Sequence, residues 1–190
     1  MNDDFNLIKQ AQSGDIGAFR DIVERYNKRI YYLAFDLTGN GEDAEDLSQE
    51  IFIKMFRSLK DFRGESKLSS WLYRITVNTW IDMKRTRIFK LRSLEEPFEE
   101  ENLGDYGVTG ELIGGNPEKN AEASIMRKHL QWALKKLSPR ERSVFVLRHY
   151  NDMRMIEIGE TLNISVGSVK SHLFRAIKKL QKSLAFLKHE

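Results

Sequence analysis

The chain has 190 residues, 41% of them hydrophobic and 31% charged, with three prolines and no cysteine. That length and apolar content support one or two small packed domains, and the missing cysteine excludes a disulfide scaffold, a thiolate metal site and a thiol redox switch within the chain. No apolar run approaches the roughly 18 residues of a membrane span, and the polar start MNDDFN lacks the pattern of a secretion signal, so a cytoplasmic chain without a membrane span is expected.

Charge is unevenly spread. Residues 1–92 carry 16 basic and 14 acidic side chains, residues 93–117 carry seven acidic and no basic ones, and residues 118–190 carry 15 basic and seven acidic. The basic C-terminal part suits a polyanion. The acidic stretch holds five of the twelve glycines and two of the three prolines, with no apolar period. It reads as a flexible linker between two small helical domains, 1–92 and 118–190. The fold class expected is all-α.

In chain order, a first helix over 5–12 stops at Ser13-Gly14-Asp15, and a second over 16–38 stops at Gly39-Asn40-Gly41. A third, 42–59, opens on acids that suit the positive end of a helix dipole. Ala44, Leu47, Ile51 and Met55 form its buried stripe, with Phe52 and Phe56 adjoining. Asp46, Gln49, Glu50, Ile53 and Arg57 line the opposite side. An isoleucine among those charges hints at a protein partner, although single exposed apolar residues are common.

After a loop over 60–69, a fourth helix runs from about 70 to 87. Trp71, Arg74 and Asn78 share one of its faces at i, i+3 and i+7. Aromatic rings beside arginine and asparagine suit stacking and edge-bonding of unpaired bases, with Lys84, Arg85 and Arg87 placed to hold a phosphate backbone. The same spacing is equally the mark of a core, which Leu72 and Tyr73 fit in either case.

Downstream, Asn116-Pro117-Glu118 opens a helix that runs to about 137. Ser138-Pro139-Arg140-Glu141 is a capping box opening the next, and Asn151-Asp152 breaks it. Residues 155–178 then read as a helix–turn–helix. Ile158 and Leu162 are buried on its first helix, Asn163 takes the sharp turn, and Ile164 fills the angle. Ser165 caps the second helix with Ser168 three residues on, and Val169, Leu173, Ile177 and Leu180 form its buried stripe. Lys170, Ser171, Phe174, Arg175, Lys178 and Lys179 remain outward. From 165 to 188 there are six lysines or arginines and no acid. Such a face fits a DNA major groove, where Lys and Arg reach phosphates or guanine edges and Phe174 can touch a thymine methyl. Lys178, Lys179 and Lys182 suit phosphates, which position rather than specify. An ordinary solvated basic helix would show a similar face, without the Ile-Gly and Leu-Asn-Ile turn.

Catalysis finds no support. The four histidines form no HExxH pair, and no P-loop, G-x-S-x-G or G-x-G-x-x-G occurs. No catalytic residue, metal site or cofactor is expected.

Taken together, five stretches resemble bacterial RNA polymerase sigma factors of the extracytoplasmic-function (ECF, group IV) family. They are Asp43-Ala44-Glu45-Asp46-Leu47-Ser48-Gln49-Glu50-Ile51-Phe52, Phe62-Arg63-Gly64-Glu65-Ser66, the run from Ser70 through Asn78, Leu137-Ser138-Pro139-Arg140-Glu141-Arg142, and Glu157-Ile158-Gly159 through Arg175-Ala176. The resemblance implies an N-terminal sigma region 2 bundle and a C-terminal sigma region 4 helix–turn–helix in a transcription initiation factor. Asp46, Gln49, Glu50 and Ile53 would dock on the clamp coiled coil of core RNA polymerase. Phe62, Arg63 and Ser66, in a loop reaching Ser69, would capture a base flipped from the non-template strand of the −10 element. Trp71, Arg74 and Asn78, with Lys84 and Arg85, would hold that melted strand. Ser165, Lys170, Ser171, Phe174, Arg175 and Lys178 would read the −35 element of promoter DNA as duplex. An anti-sigma factor is an expected partner.

The acidic linker would then thread a polymerase channel built for nucleic acid. As a free coil its 25 residues span roughly 25–30 Å, whereas contacts one to two helical turns apart need about 35–70 Å, so it would be stretched on a promoter. Two departures stand out. His172 sits where many relatives carry arginine, which leaves one contact weak or pH-sensitive, and Lys67-Leu68 fall within the base-capturing loop. The alternative is a LuxR-type helix–turn–helix regulator, which would need a receiver or ligand domain of alternating strands and helices upstream. A helical enzyme acting on nucleic acid is a third reading, without a metal or nucleophile cluster to carry it.

Overall fold

The structure is a computed structural model in which residues 3–93 and 117–188 are described, with side-chain placement for 4–86 and 125–187. The acidic stretch expected to be a linker lies, over 94–116, outside the described residues, as do the side chains of Arg87 and its neighbours.

All regular structure in the described residues is helical. Helices α1 (Asp3–Gln12), α2 (Ile16–Thr38), α3 (Gly41–Ser58) and α4 (Leu68–Ser93) form the N-terminal unit, with a single 3-10 turn at Leu59–Asp61. Asp15 caps α2 by accepting from the Gly17 and Ala18 amides. Gly39 ends that helix at φ +86°, a left-handed backbone that favours glycine. Ile22, Ile30, Leu33 and Leu37 of α2 meet Leu47, Ile51 and Met55 of α3 and Leu72 and Val77 of α4 in a core with essentially no exposure. The short α1 is pinned by polar contacts: the Tyr26 hydroxyl and Arg25 Nη1 each donate to the Asp4 carboxylate at 2.6 Å. At its other end Gln12 Nε2 donates to the Leu59 and Phe62 carbonyls, at 2.9 and 2.8 Å.

Helices α5 (Pro117–Lys135), α6 (Pro139–His149), α7 (Met155–Leu162) and α8 (Val166–Ser183) form the C-terminal unit, followed by a 3-10 turn at Ala185–Lys188. The expected capping box is present: the Ser138 hydroxyl accepts from the Glu141 amide, and the Ser138 amide donates to Glu141 Oε2. Helices α7 and α8 are the expected helix–turn–helix, starting at Met155 as read but with α8 continuing past Lys178 to Ser183. Asn163 turns the chain at φ +53°. Gly159 is favoured for a different reason: a Cβ there would stand 2.9 Å from the Ile164 carbonyl oxygen, so the main chain of the turn would have to shift. Ser165 caps α8 by accepting from the Ser168 amide at 3.1 Å.

Five expectations are corrected. Helix α1 begins earlier, at Asp3, and α5 ends at Lys135 rather than near Leu137. Helix α4 starts at Leu68 and continues to Ser93. Nothing in Arg85-Thr86-Arg87-Ile88-Phe89-Lys90 breaks a helix, and the first proline comes only at Pro97. Phe56 does not adjoin the core but stands 65% exposed, edge-on to Phe19. On α8 the fourth buried position belongs to Ala176, with Ile177 only partly covered.

The two units meet along a seam where α7 and α6 pack on α4, and α6 on α2. One apolar cluster runs through it, from Ile22 and Leu72 on one side to Leu147 and Ile158 on the other.

Candidate nucleic-acid interface

The recognition face on α8 is built by local periodicity. With Val169 and Leu173 buried against α6 and α7, and Ala176 and Leu180 packed with Ala133, Leu134 and Leu137 at the end of α5, the residues between them face out. Lys170, Ser171, Phe174, Arg175, Lys178 and Lys179 are all exposed, Phe174 to 68%. No acid interrupts this face on α8 itself. Ser165 and Ser171 are partly committed to backbone, since Ser165 caps the helix and the Ser171 hydroxyl donates to the Gly167 carbonyl.

One acid reaches the face from beneath, and the sequence reading missed it. Glu141 of α6 is almost fully buried and accepts from Lys179 Nζ at 2.7 Å, with Arg175 Nε 3.8 Å away. Burial pushes its carboxyl up, but the bonds from Lys179 and Ser138 more than reverse this, so it ionises below the usual carboxylate range. Arg175 is thus held between Glu141 and His172, whose Nδ1 lies 3.2 Å from Arg175 Nη2. Burial first, then the Arg175 charge, lowers the His172 pKa. Both effects favour the neutral ring over the imidazolium. The capping-box pattern revealed Glu141 only as a cap, because its second role depends on how α6 crosses α8.

On the N-terminal unit, the chain between the 3-10 turn and α4 borders an open cavity of about 250 Å³ lined by Asp61, Phe62, Arg63, Glu65, Ser66, Trp71 and Arg74. Gln12 holds the Phe62 carbonyl, and the Phe62 ring packs on Trp71 with centroids 5.0 Å apart. Both aromatics are partly buried, whereas Arg63 and Ser66 are exposed. Trp71 and Arg74 meet at this cavity as the i, i+3 spacing implied. Asn78 is exposed a turn further along α4, and Lys84 and Arg85 follow; Arg85 lies 3.8 Å from Asp82.

Arg74 holds a surprise. Its Nε donates to the Thr161 carbonyl at 3.0 Å and its Nη2 to the Glu160 carbonyl at 2.7 Å, both on α7. No local pattern marks such a partner 86 residues away.

The stripe on α3 is exposed as read, with Asp46, Gln49 and Ile53 in solvent and Glu50 3.7 Å from Lys54. Beside it runs a groove of about 470 Å³ between α2 and α3, lined by Asn27, Lys28, Tyr31, Tyr32, Glu45, Ser48, Gln49 and Phe52. The tyrosines of α2 were not singled out from the sequence. Tyr32, 42% exposed next to a buried Leu33, is the signal that could have found them.

The fold and these faces define a class: a helical DNA-binding protein with a helix–turn–helix in one unit and an aromatic-basic cavity in the other. Family models place it further. Residues 22–88 match Sigma-70 region 2 and residues 128–180 match Sigma-70, region 4. The ECF RNA polymerase sigma factor SigW of Bacillus subtilis is 37% identical over 181 residues, covering 93% of this chain and 94% of that protein. The ECF RNA polymerase sigma-E factor of Escherichia coli is 32% identical, covering 90% of this chain and 88% of the relative. The chain belongs to the ECF RNA polymerase sigma factors and is a transcription initiation factor. The solved sigma factor RpoE of Bartonella quintana, in complex with the anti-sigma factor NepR, shares the fold at a TM-score of 0.70 and 20% identity, over 90% of this chain and 98% of that one. CnrH, in complex with the cytosolic domain of CnrY, matches at a TM-score of 0.65 and 25% identity, over 97% and 96%.

Proposed function

We propose that this sigma factor binds core RNA polymerase through the N-terminal unit and divides promoter reading between its two units. Asp46, Gln49, Glu50 and Ile53, with the neighbouring tyrosine-lined groove, dock on the polymerase. Lys170, Ser171, Phe174, Arg175 and Lys178 of α8 read the −35 element in the major groove, with Ser165 setting the N-terminus of that helix. Phe62, Arg63, Ser66, Trp71, Arg74 and Asn78 hold the melted −10 non-template strand, with Lys84 and Arg85 on its phosphates. The observation that carries this reading is the cavity of about 250 Å³ between Phe62, Trp71 and Arg74. It brings the Phe62 and Trp71 rings together with the exposed side chains of Arg63 and Ser66, a combination suited to one unstacked base.

Residues 1–92 and 118–190 are the two functional domains in this reading, and 93–117 is the tether between them. The factor performs no chemistry itself, needs no cofactor, and acts in the cytoplasm. The structures solved with an anti-sigma factor or with a partner's cytosolic domain support an anti-sigma factor as a partner of this chain as well. No helix among the described residues is long and apolar enough to cross a membrane.

The test is transcription from a randomised promoter library with purified core polymerase. Enriched transcripts sharing an upstream and a −10 block are expected. Duplex binding by the chain without any polymerase-dependent transcript would instead support a regulator.

A further inference from the structure

His172, Arg175 and Lys179 lie on one strip of α8, at i, i+3 and i+7, and that strip sits over Glu141 of α6. Glu141 is itself fixed by the start of its helix. Its Oε2 accepts from the Ser138 amide at 2.9 Å, closing the capping box, and from Lys179 Nζ at 2.7 Å. Its Oε1 stands 3.8 Å from Arg175 Nε, an ion pair beyond hydrogen-bond length. The Glu141 side chain is only 6% exposed, so solvent screens that attraction weakly. From the other side, Arg175 Nη2 lies 3.2 Å from His172 Nδ1. A guanidinium can only donate, so Nδ1 is the acceptor, a role open to the neutral ring alone. Burial, then the Arg175 charge, then that of Arg140 on α6 favour the neutral ring, against the pull of Glu141. Nε and Nη2 share one edge of the guanidinium, so both contacts fall on that edge. Neither uses the terminal fork of Nη1 and Nη2, and the Arg175 side chain stays 55% exposed.

We infer, from the role proposed above for Arg175, that Glu141 and His172 are positioning residues for upstream base selection: they clamp one edge of Arg175 so that its terminal fork meets a base. A long cationic side chain that swings freely gains most from the nearest phosphate, and that contact carries no sequence information. Two bonds to guanine O6 and N7 need the fork aligned with the base edge, and orientation in advance removes the ordering cost of that geometry. Glu141 also occupies Lys179, which subtracts a phosphate contact from the same face. One buried acid thus lowers general affinity for duplex and raises discrimination. A residue that only capped α6 would do neither.

Glu141→Gln separates the two roles, because a glutamine still accepts from the Ser138 amide while the charge is lost. Holoenzyme assembled from the full chain and core polymerase is put through binding selection on duplex randomised over the upstream block, beside the wild type and Arg175→Ala. Arg175→Ala should flatten the preference at one base position by about tenfold. Glu141→Gln should flatten that same position by about three- to tenfold and the others by less than about twofold. Its affinity for random duplex, read by anisotropy, should hold or rise, because Lys179 is released. In the Arg175→Ala background it should add nothing at that position. Even weakening across all sequences by Glu141→Gln, or an unchanged preference where Arg175→Ala flattens it, overturns the inference. If Arg175→Ala itself leaves every preference in place, the assignment of Arg175 to a base fails and the clamp with it. A second pair of variants leaves α6 untouched and decides the matter if Glu141→Gln fails to fold. His172→Asn keeps an acceptor close to the place of Nδ1, and His172→Ala removes it. His172→Ala should flatten the Arg175 position by about threefold, and His172→Asn should restore it. A His172→Ala chain that selects like the wild type, or a His172→Asn chain as flat as His172→Ala, overturns the clamp.

Discussion

The two helical units present their binding residues in opposite ways. On α8 the side chains proposed to face DNA lie between four buried apolar positions, Val169, Leu173, Ala176 and Leu180, and stand exposed. On α4 the corresponding residues are shared with the body of the protein. Trp71 is packed on Phe62, and Arg74 is bonded to a helix of the other unit. A duplex reader can be a rigid, permanently exposed surface, because its target is always formed. A reader of melted DNA, the role proposed for this face of α4, meets its target only after strand separation. Trp71 and Arg74 are meanwhile held in intramolecular contacts, whereas Arg63, Ser66 and Asn78 stand exposed.

If the α8 face depends on a rigid turn, the largest effect should come from Gly159→Ala. The added methyl would press on the Ile164 carbonyl oxygen at 2.9 Å. A loss of about 1–3 kcal/mol is expected by chemical denaturation, as for an overpacked interior, together with weaker duplex binding. Unchanged stability would show that the turn can yield and that the rigidity invoked for α8 is wrong.

Next, the face should divide into specifying and positioning residues. Arg175→Ala should cost about 1–3 kcal/mol at one upstream base position, whereas Lys178→Ala should weaken binding evenly across sequences and lower the salt slope by about one. Binding selections on randomised upstream sites separate the two. An even loss for Arg175→Ala would make it a phosphate contact.

A smaller effect should come from Asp36, beside the seam. Burial raises its carboxyl to about 7, opposed by the nearby Arg142 charge, from an ordinary value of 3.8. Between those values the folded chain holds a proton that the unfolded chain does not, so stability falls as pH rises through that window. The thermal midpoint should drop between pH 5.5 and 8 more for the wild type than for Asp36→Asn, which should also raise the midpoint at pH 8 by about 2–4 °C. Identical pH slopes for the two proteins would place Asp36 in solvent.

Much of this was legible in the sequence. Helices α2 and α7 have the bounds that Gly39 and Asn163 imply, since both residues end a helix in a left-handed backbone, and the Ser138–Glu141 box closes as written. The stripe Asp46, Gln49 and Ile53 lies outside as its pattern predicts. What escaped was tertiary. Phe56 is exposed with only the edge of Phe19 of α2 against it, a partner that no i, i+4 pattern within α3 can report. Arg74 and Arg142 reach carbonyls more than 80 residues away, and a backbone acceptor leaves no side-chain signature. Glu141 looked like a cap and is also the anchor for Lys179.

The division of labour between the units is tested most directly by permanganate footprinting of the −10 region with the Asn78→Ala holoenzyme at a selected promoter. Reactivity of unpaired thymines should fall by at least about tenfold, as expected from losing a side chain that pairs with an unstacked base. Affinity for core polymerase should be unchanged. A matching loss of polymerase binding, or full thymine reactivity in the variant, would contradict the claim that this face of α4 holds the opened strand.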